Sequence, residues 1–136
     1  METIRTTYLG DLRTRATHVQ SSEELLTDAP VDNLGKGEYF SPTDLVATAL
    51  TSCMLTIMGQ LANQYDFNID GTKAKTTKVM ASNPRRIGEI IIELDFPAIP
   101  YTDKEKKLIE QAAKICPVAQ SLHPDTKQTV IFNFHS

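Results

Sequence analysis

Polar and apolar positions alternate with a period of two near the N-terminus, give way to helical spacing, and then repeat that change once. From Thr3 to Asp28 the chain is rich in threonine and broken at Gly10-Asp11 and at Ser21-Ser22-Glu23-Glu24, which predicts a meander of three short strands. In the second strand, Leu12 to Val19, alternation puts Arg13 and Arg15 on one face and Leu12, Thr14, Ala16 and His18 on the other. Ala29 to Phe40 has no period and carries Pro30, Gly35 and Gly37, so it reads as a long loop, and loops longer than most connections are often functional. Its Gly35-Lys36-Gly37 lacks the glycine spacing and the following Ser/Thr of a phosphate-binding loop.

Ser41-Pro42-Thr43-Asp44 supplies a capping hydroxyl, a proline at the first helical position and an acid beside the free N–H groups, which predicts a helix start. Leu45 to Tyr65 then runs 21 residues without a charge, long enough to raise a membrane span. Thr48, Thr51, Ser52, Thr56, Gly59, Gln60, Asn63 and Gln64 interrupt it and no basic cluster flanks it, which argues for a buried helix of a soluble protein. Such a helix is about 32 Å long, against roughly 37 Å for the whole width of a compact domain of this size. One subunit cannot wrap it on all sides, so an obligate homodimer is expected.

Beyond Asp66, strands over Thr72 to Ala81 and Ile87 to Phe96 flank Ser82-Asn83-Pro84-Arg85-Arg86 as a hairpin. Ile90, Ile92, Leu94 and Phe96 alternate with Glu89, Ile91, Glu93 and Asp95, giving one apolar face and one mostly acidic, solvated face. Thr102 and Glu105 form a capping box ahead of an amphipathic helix with Leu108, Ile109, Ala112, Ala113 and Cys116 on its apolar stripe. Pro117 must end or kink that helix, and a short helix over Pro117 to Ser121 would put Cys116 at its N-terminus. After a turn at Leu122-His123-Pro124-Asp125, Val130, Phe132 and Phe134 alternate as a last strand. The order βββαββαβ is α+β, and with no repeat or linker a single domain over residues 1–136 is expected.

Composition narrows the chemistry. Fourteen basic against seventeen acidic residues give a net charge of −3, leaving no basic surplus for a nucleic-acid backbone. The first ten residues carry no signal peptide pattern, so a cytoplasmic location with reduced thiols is expected for Cys53 and Cys116. These cysteines and His18, His123 and His135 show no metal-ligand spacing, and neither a metal nor any other cofactor is expected. Cys53, deep in the uncharged helix, could be a small core residue. Cys116 before Pro117 could have a thiolate stabilised by a helix N-terminus.

Gly10-Asp11-Leu12-Arg13, Gly35-Lys36-Gly37, Ser41-Pro42-Thr43-Asp44-Leu45-Val46 leading to Ser52-Cys53, and Cys116-Pro117-Val118 with Ser121-Leu122 together resemble the OsmC/Ohr family of thiol-dependent hydroperoxide reductases. The resemblance implies an intertwined homodimer whose two sheets wrap a central helix pair. It also implies Cys53 as the peroxidatic thiol, Cys116 as the resolving thiol, Arg13 as the arginine that stabilises the thiolate, organic hydroperoxides as substrates and an external dithiol as reductant. Arg15 competes for the arginine role. The family's glutamate after the helix-opening proline is replaced by Thr43, leaving Asp44 or Glu38 as stand-ins. Nine residues of helix turn Asp44 about 900°, to the face opposite Cys53, so capping is its expected role. The alternative is a non-catalytic binder of a small apolar ligand on the same fold, or two cysteines that are merely core residues.

Overall fold

The threonine-rich N-terminal stretch forms an antiparallel sheet in the order β1-β2-β3, with β1 at Ile4–Gly10, β2 at Arg13–His18 and β3 at Glu24–Asp28. These elements come from a computed structural model that describes residues 2–135. The chain divides into two compact units, Met1–Val46 and Ala47–Ser136. Within the first unit, Asp11 and Leu12 both adopt positive φ, the left-handed geometry that matches a two-residue hairpin turn to strand twist. The expected second strand therefore begins at Arg13, because Leu12 belongs to the turn. In the register of β2 against β3, Arg13 stands opposite Asp28.

The loop after β3 contains a single 3₁₀ turn at Val31–Asn33 and folds back on its own start. Gly35 and Gly37 donate to the carbonyls of Pro30 at 2.9 Å and of Ala29 at 3.3 Å. A Cβ at Gly35 would stand 1.7 Å from the Ala29 oxygen, so only glycine permits this closure.

Helix α1 spans Pro42–Gln64 and opens as expected: the Ser41 hydroxyl accepts from Asp44 N at 3.1 Å, and Asp44 Oδ2 accepts from Ser41 N at 3.0 Å. Asp44 is thus a capping acid. The second unit adds β4 (Lys73–Ala81), β5 (Arg86–Asp95), α2 (Asp103–Ile115), α3 (Pro117–Ser121) and β6 (Lys127–Asn133). β5 is central, antiparallel to β4 and parallel to β6, with α2 and α3 in the crossover. The reciprocal cap of α2 by Thr102 and Glu105 is present, and α3 starts where Pro117 halts α2.

Ile90, Ile92, Leu94 and Phe96 are buried, as are Leu50, Met54 and Met58 of α1 and Ile109 and Ala112 of α2. The opposite face of the sheet is wet and charge-paired, with Lys73 opposite Asp95 and Lys75 opposite Glu93. Phe96 stacks on Phe134 at 4.8 Å between centroids, and the Tyr101 hydroxyl donates to the Asn68 carbonyl at 2.7 Å, closing the end of this core.

Within one chain, helix α1 is buried along part of its circumference. Its buried positions, Ala47, Leu50, Thr51, Met54, Met58 and Ala62, form one stripe, and Thr51 reaches Thr76 of β4 at 2.7 Å between hydroxyls. Ala49, Ser52, Thr56, Gln60 and Asn63 lie exposed on another face. A single chain covers one side of the helix only.

Candidate active site

The two cysteines are brought together in the second unit. Cys53 sits in the middle of α1, where it is half-buried, and Cys116 is fully buried between α2 and α3; both are free thiols. Their side chains are near enough for Cys53 to help raise the Cys116 pKa. Cys116 is at once the last cap of α2 and the first cap of α3, its sulfur accepting from Ala119 N at 3.3 Å.

That position invites a stabilised thiolate, but burial and the adjacent Cys53 outweigh the N–H groups of Ala119 and Val118, and the Cys116 thiol is pushed above its ordinary value. The helix terminus expected from sequence to stabilise a Cys116 thiolate does not do so: α3 is only five residues long, and desolvation dominates. Cys116 is a protonated, enclosed thiol beside a more accessible one.

Beside α1, Met54, Ala113, Val130 and Phe132 line a recess of about 390 Å³, with Glu110, Lys114 and Gln128 also contributing to its walls. No grouping of His, Cys, Asp and Glu that could hold a metal ion occurs among the described residues.

In the first unit, Arg13 is clamped. Its Nε donates to Asp28 Oδ1 at 2.7 Å, and its Nη2 donates to Asp28 Oδ2 at 2.9 Å and to Glu38 Oε1 at 2.6 Å. The Tyr39 ring lies over the guanidinium, 4.8 Å from its carbon. These hydrogen bonds raise the Arg13 pKa and hold the Asp28 carboxyl below the usual aspartate range despite its burial. Arg15 is less engaged: among the described residues its one ion-pair contact is Glu24, at 3.7 Å, and it is half exposed.

Of the two candidate arginines, Arg13 is the one in a built setting, and of the two candidate carboxylates Glu38 joins it while Asp44 caps α1. Asp28 was not among the residues singled out from sequence. Its signal lies in the strand register, which sets an acid directly across from Arg13.

A model of the OsmC-like protein family matches residues 35–130, whereas no curated protein matches the chain in sequence. A solved structure from Psychrobacter arcticus 273-4, provisionally named an osmotic stress induced and detoxification response protein, is 55% identical with a TM-score of 0.92, covering 97% of this chain and 96% of its own. The organic hydroperoxide resistance protein OsmC of Legionella pneumophila superposes with a TM-score of 0.77 at 12% identity, covering 98% of each chain. An OsmC-like protein from Mycoplasma pneumoniae reaches 0.81 at 19% identity, covering 98% and 96%. These last two share the fold. The match over residues 35–130 takes in both cysteines and the entry to α1, and the chain belongs to the OsmC-like protein family.

Proposed function

We propose that the protein is a cytoplasmic, homodimeric, cysteine-based peroxidase that reduces organic hydroperoxides, with hydrogen peroxide a poorer substrate. The observation that carries the reading is the asymmetric thiol pair: Cys53 half-buried, Cys116 enclosed and held protonated beside it. The Cys53 thiolate attacks the terminal peroxide oxygen, the O–O bond breaks, and the alkoxide leaves as an alcohol after taking a proton. Cys53 is then a sulfenic acid. Cys116 attacks that sulfur, an S–S bond forms and water departs; an external dithiol returns two electrons to restore both thiols. Arg13 supplies the cation that favours the Cys53 thiolate and the charge developing on the peroxide. The recess lined by Met54, Ala113, Val130 and Phe132 is suited to an apolar organic group.

The test is stoichiometric oxidation. One equivalent of cumene hydroperoxide converts the reduced subunit into an intramolecular disulfide, read as loss of two hydrogens by intact mass. Cys53→Ser abolishes the reaction; Cys116→Ser consumes one equivalent and stalls as an over-oxidised or mixed-disulfide form. The recess also favours a second reading, a non-catalytic binder of a small apolar ligand, which moves ahead if both thiols stay free after hydroperoxide treatment.

A further inference from the structure

The two carboxylates on Arg13 are unequal. Asp28 is 1% exposed, and it ends β3 directly across from Arg13. Its backbone N–H is tied to the Phe40 carbonyl at 3.1 Å, and Oδ2 accepts a further bond from Glu38 N at 3.1 Å. Both its oxygens are thus committed to the Arg13 fork. The two parallel N–H···O bonds fix the plane of the guanidinium as a single bond cannot.

Glu38 makes one bond from a loop position, and its side chain is 62% exposed, so its pairing with Arg13 is screened. With Nε and Nη2 bound, Nη1 has no hydrogen-bond partner among the described residues. Thr43, where the family resemblance leads one to expect a glutamate, bonds its hydroxyl to Ser41 Oγ at 3.2 Å, and Asp44 is engaged in the cap.

We propose that Asp28 is the positioning residue of the active-site arginine: it orients the Arg13 guanidinium through its Nε/Nη2 edge and leaves Nη1 uncommitted. Glu38 is an accessory. This proposal rests on the reading that Arg13 serves Cys53, and its test separates the two.

The experiment measures the second-order rate of Cys53 oxidation by cumene hydroperoxide and, in a Cys116→Ser background, the pH midpoint of Cys53 alkylation by iodoacetamide. Asp28→Asn is expected to slow oxidation between roughly tenfold and a hundredfold, and Glu38→Gln less. The double variant Arg13→Ala/Asp28→Asn is expected to be no slower than Arg13→Ala alone, since a positioning residue has nothing left to position.

Asp28→Asn should also move the alkylation midpoint to higher pH, as Arg13→Ala does. Simple removal of a negative charge would move it to lower pH, and that result overturns the proposal. So does a wild-type oxidation rate in Asp28→Asn, or a loss as large in the Arg13→Ala background as in the wild type. Arg13→Lys guards against failure of Asp28→Asn to fold: lysine keeps the charge without the fork, so it should be as slow as Arg13→Ala, and a wild-type rate overturns the proposal. A wild-type rate in Arg13→Ala instead overturns the functional reading of Arg13, and the proposal with it.

Discussion

Asp28 and Cys116 are both buried acids, and their surroundings drive them in opposite directions. Asp28 is held below its ordinary value of 3.8 chiefly by the Arg13 hydrogen bonds. As the pH falls, the unfolded chain takes up that proton before the folded one does. The pair's stabilisation is therefore complete above the ordinary aspartate value and is lost as the pH drops through the lower folded one. Urea midpoints measured between about pH 5 and pH 2 should decline less steeply in Asp28→Asn than in the wild type, and equal slopes would mean that Asp28 carries no linkage. Cys116 lies above its ordinary value of 9.0, first because of burial. Its folded form keeps the proton longer, so this contribution is present below the ordinary thiol value and is lost as the pH rises through the folded one. Iodoacetamide reacts with thiolates. Peptide mass mapping after brief labelling at pH 7 should find the label on Cys53, with Cys116 modified only after denaturation. Labelling of Cys116 at an equal rate in the native protein would remove the assignment of roles.

At the scale of elements, local chemistry was decisive wherever neighbours in sequence were also neighbours in space. The Ser41/Asp44 cap of α1 and the Thr102/Glu105 cap of α2 were legible because three residues of helix bring both partners together. Strand alternation exposed Ile90, Ile92 and Leu94 as core, and all three are fully buried. What the sequence left hidden is non-local. The parallel pairing of β6 with β5 and the pairing of Arg13 with Asp28 depend on registers that no local pattern encodes. The raised pKa of Cys116 depends on how much chain closes over α3. The same division predicts where substitutions act. Ser41→Ala removes one cap and should cost about 1 kcal/mol by urea denaturation. Ile92→Ala empties the middle of the central strand and should cost roughly 2–5 kcal/mol. A comparable loss in both would contradict the placement of Ile92 at the core.

The whole molecule raises the matter of what covers α1. By length and composition it could cross a membrane, with a mean hydropathy of 1.6 over 18 residues, and 33% of that window is buried within the chain. Its exposed stripe of Ala49, Ser52, Thr56, Gln60 and Asn63 is small or amidic and uncharged, which suits close helix packing better than lipid. In the first unit the strand residues buried are Thr27 and Asp28 alone, while Ile4, Tyr8, Leu9, Leu12 and Leu25 are exposed. Exposed apolar side chains such as these are what an interface would cover. A second copy of the chain, contributing its own α1, is the occupant we propose, and light scattering at micromolar concentration should give about twice 15.1 kDa. Two substitutions separate shared burial from burial within the chain. Leu50 is fully buried in one subunit, so Leu50→Asp should unfold the protein whatever its assembly. Thr56 is exposed in one subunit, so Thr56→Arg would be harmless in a monomer but would place an unpaired charge between two α1 helices in a dimer. Thr56→Arg is therefore expected to lower the thermal midpoint and to scatter as a monomer or not fold. A wild-type protein that scatters at 15.1 kDa, together with a Thr56→Arg variant of unchanged midpoint, would leave α1 half-open by design and end the case for the dimer.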